Sequence, residues 1–143
     1  MKEREAAFSF TGYEFADENG VGNGKVVHVP ETITYKQALM NTTIWTSTVM
    51  FDMRKLGKSE IYMPDVKSED TATWWNVLKV VERADGLDEI LSFYRRGGKT
   101  LSSNKLVAIG RIWNLYRNYE KLNLLDSSAN FVWYAVNAVR RRV

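Results

Sequence analysis

Two β-prone runs near the N-terminus, held apart by a polar, glycine-rich stretch, set the first constraint on the fold. Phe8, Phe10 and Tyr13 lie on one side, and Val26, Val27 and Val29 on the other, with Asp17-Glu18-Asn19-Gly20 and Gly22-Asn23-Gly24 between them. Aromatic and β-branched side chains fit a pleated surface, and Gly/Asn clusters supply the backbone freedom of a reversal, so the stretch predicts a β-hairpin with a wide turn. A two-stranded hairpin is only marginally stable in water, so the rest of the chain has to bury one of its faces. With 143 residues, 45% of them hydrophobic, there is enough apolar material for one core of ordinary domain size.

Pro30 ends the second run, and Thr34 followed by Gln37 makes a capping box for a short helix through Met40. From Thr42 to Met53 the threonines with Ile44, Val49 and Phe51 predict a buried strand. Residues Gly57 to Pro64 read as a connection, and Glu69 begins a helix in which Trp74, Trp75, Leu78 and Val81 recur near helical spacing. Leu87 to Tyr94 predicts a final strand, broken by Gly97 and Gly98. Ser102 or Ser103 then caps a helix carrying Leu106, Ile109, Trp113 and Tyr116 on one face and ending near Lys121. A second helix is expected after the capping residues Asp126 to Ser128, with Phe131, Tyr134, Ala135, Ala138 and Val139.

This inventory is α+β, but it makes a poor self-contained sheet, because the early strands need neighbours that the sequence does not supply. An upstream part is therefore expected to be missing. The strands around Phe8 to Phe10 and Val49 to Phe51 are expected to present unpaired edges and an apolar face, and the chain to form a homo-oligomer.

Composition excludes several function classes. A charge of +3 from 20 basic and 17 acidic residues is too balanced to indicate nucleic acid as a partner. No cysteine is present, so disulfides and thiolate metal sites are excluded, in keeping with a cytoplasmic location. His28 is the lone histidine, fewer than zinc-hydrolase sites use. The first residues lack the apolar core of a secretory signal, and the longest apolar stretch, Phe131 to Val136, is far below the ~20 residues of a spanning helix. The terminal helix joins Phe131, Trp133 and Tyr134 to Arg140, Arg141 and Arg142, and two readings are open: peripheral contact with anionic lipid at the inner face of the membrane, or a packing helix with a solvated basic end.

The stretch with the most chemistry is Pro64-Asp65-Val66-Lys67-Ser68-Glu69-Asp70-Thr71-Ala72-Thr73-Trp74-Trp75. Carboxylates in a helix's first turn are favoured by the macrodipole and by free amide groups, so Glu69 and Asp70 can serve helix initiation alone. The chemical reading has Asp70, projected toward a cleft, accept the proton of a sugar hydroxyl while Glu69 or an amide orients it. Adjacent residues on a helix point to different sides, so Trp74 and Trp75 are not expected to be core on one face; one of them, with Trp74 preferred, can form a sugar-stacking platform, and core packing or a helix-sheet contact is the competing account for either ring. The aromatic content of 13%, with five tryptophans, points toward the platform. Thr46, Ser47 and Thr48 offer hydroxyls to a sugar or are ordinary strand residues. Tyr94, Arg95 and Arg96, with the Gly97-Gly98 and Ser102-Ser103 loop, form a cationic flap over a diphosphate or merely link strand to helix.

Several segments in order carry a resemblance: Phe8-Ser9-Phe10-Thr11-Gly12-Tyr13-Glu14-Phe15, Asp17-Glu18-Asn19-Gly20, Thr46-Ser47-Thr48-Val49-Met50-Phe51-Asp52, Ser68-Glu69-Asp70-Thr71, Gly86-Leu87-Asp88-Glu89-Ile90-Leu91-Ser92-Phe93-Tyr94-Arg95-Arg96 and Leu101-Ser102-Ser103-Asn104-Lys105. Over nearly its whole length the chain resembles the C-terminal, acceptor-side part of family-two glycosyltransferases of the GT-A type, enzymes that build bacterial surface polysaccharides. The resemblance implies a partial GT-A-like sheet with a hairpin, a further strand and two C-terminal helices, the nucleotide-binding half being absent. It divides the chain into acceptor-side residues 1–100 and a C-terminal helical extension, 101–143.

In the enzymes it resembles, a doubly wound N-terminal half holds the nucleotide-sugar, and an Asp-x-Asp motif there binds a divalent metal, Mn or Mg. Asp17-Glu18-Asn19, in a hairpin turn, is an unlike substitute, so this chain alone is expected to bind no metal and to be inactive. The resemblance implies that Asp70 is the catalytic base, with Glu69 beside it, and that configuration inverts. The implied partners are a nucleotide-sugar donor and a glycan or lipid-linked acceptor, with Trp74, Trp75, Thr46, Ser47, Arg95, Arg96 and Ser102 in substrate contact. A non-catalytic carbohydrate-binding or oligomerisation module is the alternative.

Overall fold

In the computed structural model, which describes residues 5–41, 43–95 and 105–140, strand β1 (Phe8–Ala16) forms the centre of a mixed sheet. One edge of β1 is taken by β5 (Ala84–Arg95) in parallel, from Ser9 opposite Asp85 to Ala16 opposite Arg95. The other edge is shared by β2 (Gly22–Val27), antiparallel from Tyr13 opposite Val27, and by β4 (Met50–Phe51), antiparallel at Phe8 and Ser9. A two-residue β3 (Thr32–Ile33) closes the far side of β5 at Asp85 and Ala84.

The predicted hairpin is therefore present, with Asp17 Oδ1 accepting from the amides of Asn19 and Val21 at 2.9 and 2.8 Å to hold its turn. The expected unpaired edge at Phe8 to Phe10 is not. The predicted strand Leu87 to Tyr94 is longer than its pattern shows and supplies the missing neighbour in parallel, and Phe8 and Phe10 are fully buried. Parity of burial changes at Gly12, where the pairing with β5 shifts register: Phe8 and Phe10 enter the main core, whereas Tyr13 and Phe15 turn into a second cluster with Val27, Trp45 and Tyr94.

Between β2 and β3 the chain is clamped onto β5. Asp88 accepts from His28 Nδ1 at 2.9 Å and from the Val29 amide at 3.0 Å, and the Gly86 amide donates to the Glu31 carbonyl at 2.8 Å. A side chain at Gly86 would lie 2.0 Å from the Pro30 carbonyl oxygen, so only glycine allows this approach. The lone histidine is thus part of a crossing clamp; the bonds from Val29 and His28 hold the Asp88 carboxyl below the usual carboxylate range.

Helix α1 (Tyr35–Leu39) starts at the predicted capping box, with both the Thr34 and Gln37 bonds formed. Three distant side chains satisfy the carbonyls at its C-terminal end: Trp75 Nε1 donates to Ala38 at 3.2 Å, the Tyr116 hydroxyl to Leu39, and Asn137 Nδ2 to Met40 at 2.8 Å. Burial, and secondarily the neighbouring Tyr134, raise the Tyr116 hydroxyl above the usual tyrosine value.

Of the strand expected from Thr42 to Met53, Thr42 lies outside the described residues and the rest shrinks to the two residues of β4, preceded by a 3-10 turn at Thr46–Thr48. Thr48 explains the difference: its amide and its hydroxyl both donate to the Trp45 carbonyl, at 2.9 and 2.8 Å, a local alternative that outcompetes a ladder despite β-branched composition.

Helix α2 (Glu69–Val80) packs across the sheet, with Trp74 against Phe8 and Phe51 and Trp75 stacked on Tyr116, ring centres 5.4 Å apart and 7° from parallel. Helix α3 (Lys105–Asn114) runs into a π turn at Leu115–Tyr119, and α4 (Leu124–Arg140) follows. Asn123, not the expected Asp126 to Ser128, opens α4: its side-chain oxygen accepts from the Asp126 amide at 2.8 Å. The residues proposed to cap α3, Ser102 and Ser103, lie outside the described residues, as do Gly97 and Gly98.

Ile112, Leu115 and Tyr116 share one core with Phe8, Trp75 and Leu78, so the helical end and the sheet are packed together. Glu120 reinforces this, its nearly enclosed carboxylate receiving the Tyr35 hydroxyl from α1 and Lys79 Nζ from α2, the latter at 2.7 Å. Burial first, then the bond and charge of Glu120, raise the Tyr35 hydroxyl.

Candidate active site

Ser68 precedes α2 in the left-handed region, φ 62, and its side chain does not cap the helix. A non-glycine residue there is strained, and the strain sits immediately before the acidic pair. Successive helical residues diverge by about 100°, and Glu69 and Asp70 part accordingly. Half-buried Asp70 lines a cleft of about 250 Å³. Exposed Glu69 instead borders a separate depression along Tyr62 to Lys67, so the structure does not bring the two carboxylates to one place.

Asp70 Oδ1 accepts from the Thr71 amide at 2.7 Å, and Oδ2 from the Thr46 hydroxyl at 3.3 Å. The 3-10 turn thus delivers one of its three hydroxyls to the carboxylate. Exposed Ser47 lies instead in a shallow depression with Phe93 and Arg95, and Thr48 is buried and spent on Trp45. Trp45 and Tyr94, ring centres 4.7 Å apart, form the wall common to the cleft and this depression. Arg95 is exposed at the end of β5, while Arg96 and Ser102 fall outside the described residues.

Both Trp74 and Trp75 touch the floor of the cleft, but they are only 5% and 1% exposed. Neither ring is an exposed platform, and the competing account, core packing, holds for both. Helix α2 is enclosed on two sides, by Phe8 and Phe51 and by Tyr116, so neighbouring rings on different faces are both core. Trp74 Nε1 is buried with no hydrogen-bond partner among the described residues. The half-buried aromatic beside Asp70 is Trp45, which the sequence reading passed over although it directly precedes the hydroxyl run. Arg111 of α3 and Tyr134 of α4 also line the cleft, and no local motif marks them.

The cleft therefore sets a carboxylate with a hydroxyl neighbour beside an aromatic wall and a guanidinium. Carboxylate and guanidinium can bond hydroxyls and anions, and ring faces can take the apolar face of a sugar. Among the described residues no group of three His, Asp or Glu side chains could hold a metal ion.

The chain is 42% identical, over its whole length, to the Bacillus subtilis protein provisionally named teichuronic acid biosynthesis glycosyltransferase TuaG. It is 31% identical over 97% of its length to the UDP-Glc:alpha-D-GlcNAc-diphosphoundecaprenol beta-1,3-glucosyltransferase WfgD of Escherichia coli, and 28% identical over 96% of its length to a glycosyltransferase of Haemophilus influenzae. The chain spans about half the length of these relatives, 56%, 52% and 54% respectively. No family model and no solved structure matches it. Sequence, end to end, thus makes the chain a homologue of about half of a bacterial glycosyltransferase.

Proposed function

We propose that this chain is the C-terminal, acceptor-side part of an inverting family-two glycosyltransferase of the GT-A type, which moves a hexose from a nucleotide-sugar to a glycan or lipid-linked acceptor in surface polysaccharide synthesis. The observation that carries the reading is the placement of Asp70 in the cleft, bonded to Thr46 and beside the Trp45–Tyr94 wall, in a chain whose relatives are glycosyltransferases. One relative's name specifies a sugar on diphosphoundecaprenol as acceptor, and the cleft residues suit such a molecule: Trp45 and Tyr94 for a pyranose face, Arg111 for an anionic group. A volume of about 250 Å³ is below the range of drug-sized sites, about 300–1,000 Å³.

In the proposed step, Asp70 takes the proton of the acceptor hydroxyl as that oxygen bonds to the anomeric carbon of the donor. The bond from that carbon to the departing diphosphate breaks on the opposite side, so configuration inverts. Asp70 is oriented by the Thr71 amide, which donates to Oδ1 as the expected alternative to Glu69, and by Thr46, which donates to Oδ2. The divalent cation implied by the resemblance would be held, with the nucleotide, by the other half of the parent; when bound there it stabilises the leaving diphosphate.

Asp70→Asn in the full-length enzyme is expected to reduce turnover by about 100-fold or more while donor affinity is kept. Near-normal turnover of that variant would remove Asp70 from the role of base and leave it as a helix-start residue. An acceptor glycan that binds the chain, with no turnover in the full-length protein, would instead favour a carbohydrate-binding module.

A further inference from the structure

Helix α4 is apolar on its outer side as well as its inner one. Phe131 and Tyr134 pack toward the core, yet Leu125, Val132, Trp133 and Val139 are 82%, 60%, 53% and 63% exposed. Leu125, Val132 and Val139 recur every seventh residue, and a helix drifts only about 20° per such step, so they form one line along a rod of 17 residues, about 25 Å long. From Ser127 to Val139 the helix carries no charge. A contiguous exposed stripe of this kind needs an occupant.

Charge decides between the occupants. Residues 101–143 contain seven Lys and Arg against two acids, whereas residues 1–100 contain thirteen against fifteen. The basic character is concentrated on the helical end, where one of the two acids, Glu120, is already neutralised by Lys79. Two such ends repel each other, which disfavours a second copy stacked along the stripe, and the uncharged stripe disfavours nucleic acid. An apolar ridge whose helix ends at Arg140, in the basic part of the chain, suits a bilayer surface rich in anionic headgroups. No helix among the described residues is long and apolar enough to cross a membrane, so α4 would lie in the interface plane.

We propose that the outer stripe of α4 seats the protein on an anionic lipid surface. Tyr134, about 200° round the helix from Val132, lines the cleft that holds Asp70, so the cleft would stand about one helix diameter, ~10–12 Å, above the acyl boundary. A sugar on a membrane-anchored diphosphate projects to this height. That last consequence rests on the proposed acceptor; the lipid contact itself does not.

Flotation of the full chain with vesicles tests the contact. The chain is expected to float with phosphatidylglycerol/phosphatidylcholine vesicles, weakly with phosphatidylcholine alone, and less as salt rises. The double variant Leu125→Gln/Trp133→Gln is expected to lose about tenfold or more of its affinity with its melting curve unchanged, since both side chains are exposed. Should that variant melt early, Val139→Gln with an unchanged melt takes its place. Absence of flotation, or unchanged flotation of the folded variant, overturns the proposal. A chain that is dimeric in dilute solution and monomeric as the variant gives the stripe to a second copy and overturns it equally. Turnover of the full-length enzyme on a water-soluble acceptor is expected to survive the substitutions; its absence in the wild type would sink the transferase reading and leave the lipid result standing.

Discussion

Trp45 and Trp74 show how differently two residues of one type can serve a cleft. Trp74 packs against Phe8 and Phe51 and has its indole N–H enclosed, so Trp74→Ala is expected to cost about 3–5 kcal/mol in denaturant unfolding. Trp45 is half-buried at the wall, and Trp45→Ala is expected to raise the acceptor KM of the full-length enzyme several-fold with a smaller loss of stability. A KM unchanged by Trp45→Ala would show that the wall is only packing. The acidic pair was legible because first-turn carboxylates have a local signature, whereas the choice between its members was not: it depends on which side of α2 opens onto a cleft walled by Trp45 and Tyr94, residues far away in sequence. The tryptophan pair left platform and core both open for the same reason, since only the packing around a helix enclosed on two sides decides that both rings are buried.

At the scale of elements, those whose bonds are local were read well. The Thr34–Gln37 capping box, the hairpin turn around Asp17 and the start of α2 all stand where their residues predict. The parallel pairing of β1 with β5 has no short-range signature, and its absence from the reading produced the expectation of bare edges at Phe8 to Phe10. The seat of α1 was equally hidden, because Trp75, Tyr116 and Asn137 converge on its carbonyls from three other elements. Tyr116→Phe, which keeps the ring stacked on Trp75 but leaves the Leu39 carbonyl without this donor, is expected to cost about 1–3 kcal/mol by urea titration. A variant as stable as the parent would show that the carbonyl finds another partner.

For the whole molecule, the two tyrosines that join the helical end to α1 set the alkaline limit. Tyr35 and Tyr116 both have hydroxyls raised above the ordinary value of 10.0. The folded state therefore holds their protons where the unfolded chain gives them up. Their contribution to stability is complete below pH 10.0, declines as pH rises through that value, and is gone once the folded hydroxyls themselves ionise. Urea midpoints are expected to fall above pH 10.0, and Tyr35→Phe to flatten that fall; a midpoint independent of pH in this range would contradict the assignment.

The parallel seam between β1 and β5 also governs when the chain can become a protein at all. Its first pair, Ser9 with Asp85, closes a loop of about 75 residues, and such closure must be met entropically before any of its contacts reward it. During synthesis the hairpin of β1 and β2 is therefore expected to keep its inner edge unpaired until the residues of β5 emerge. The clamp at Gly86 and Asp88 closes at the same moment, since both residues belong to the arriving strand. The aromatic wall of the cleft, which draws Tyr94 from that strand, is thus among the later parts of this chain to take shape.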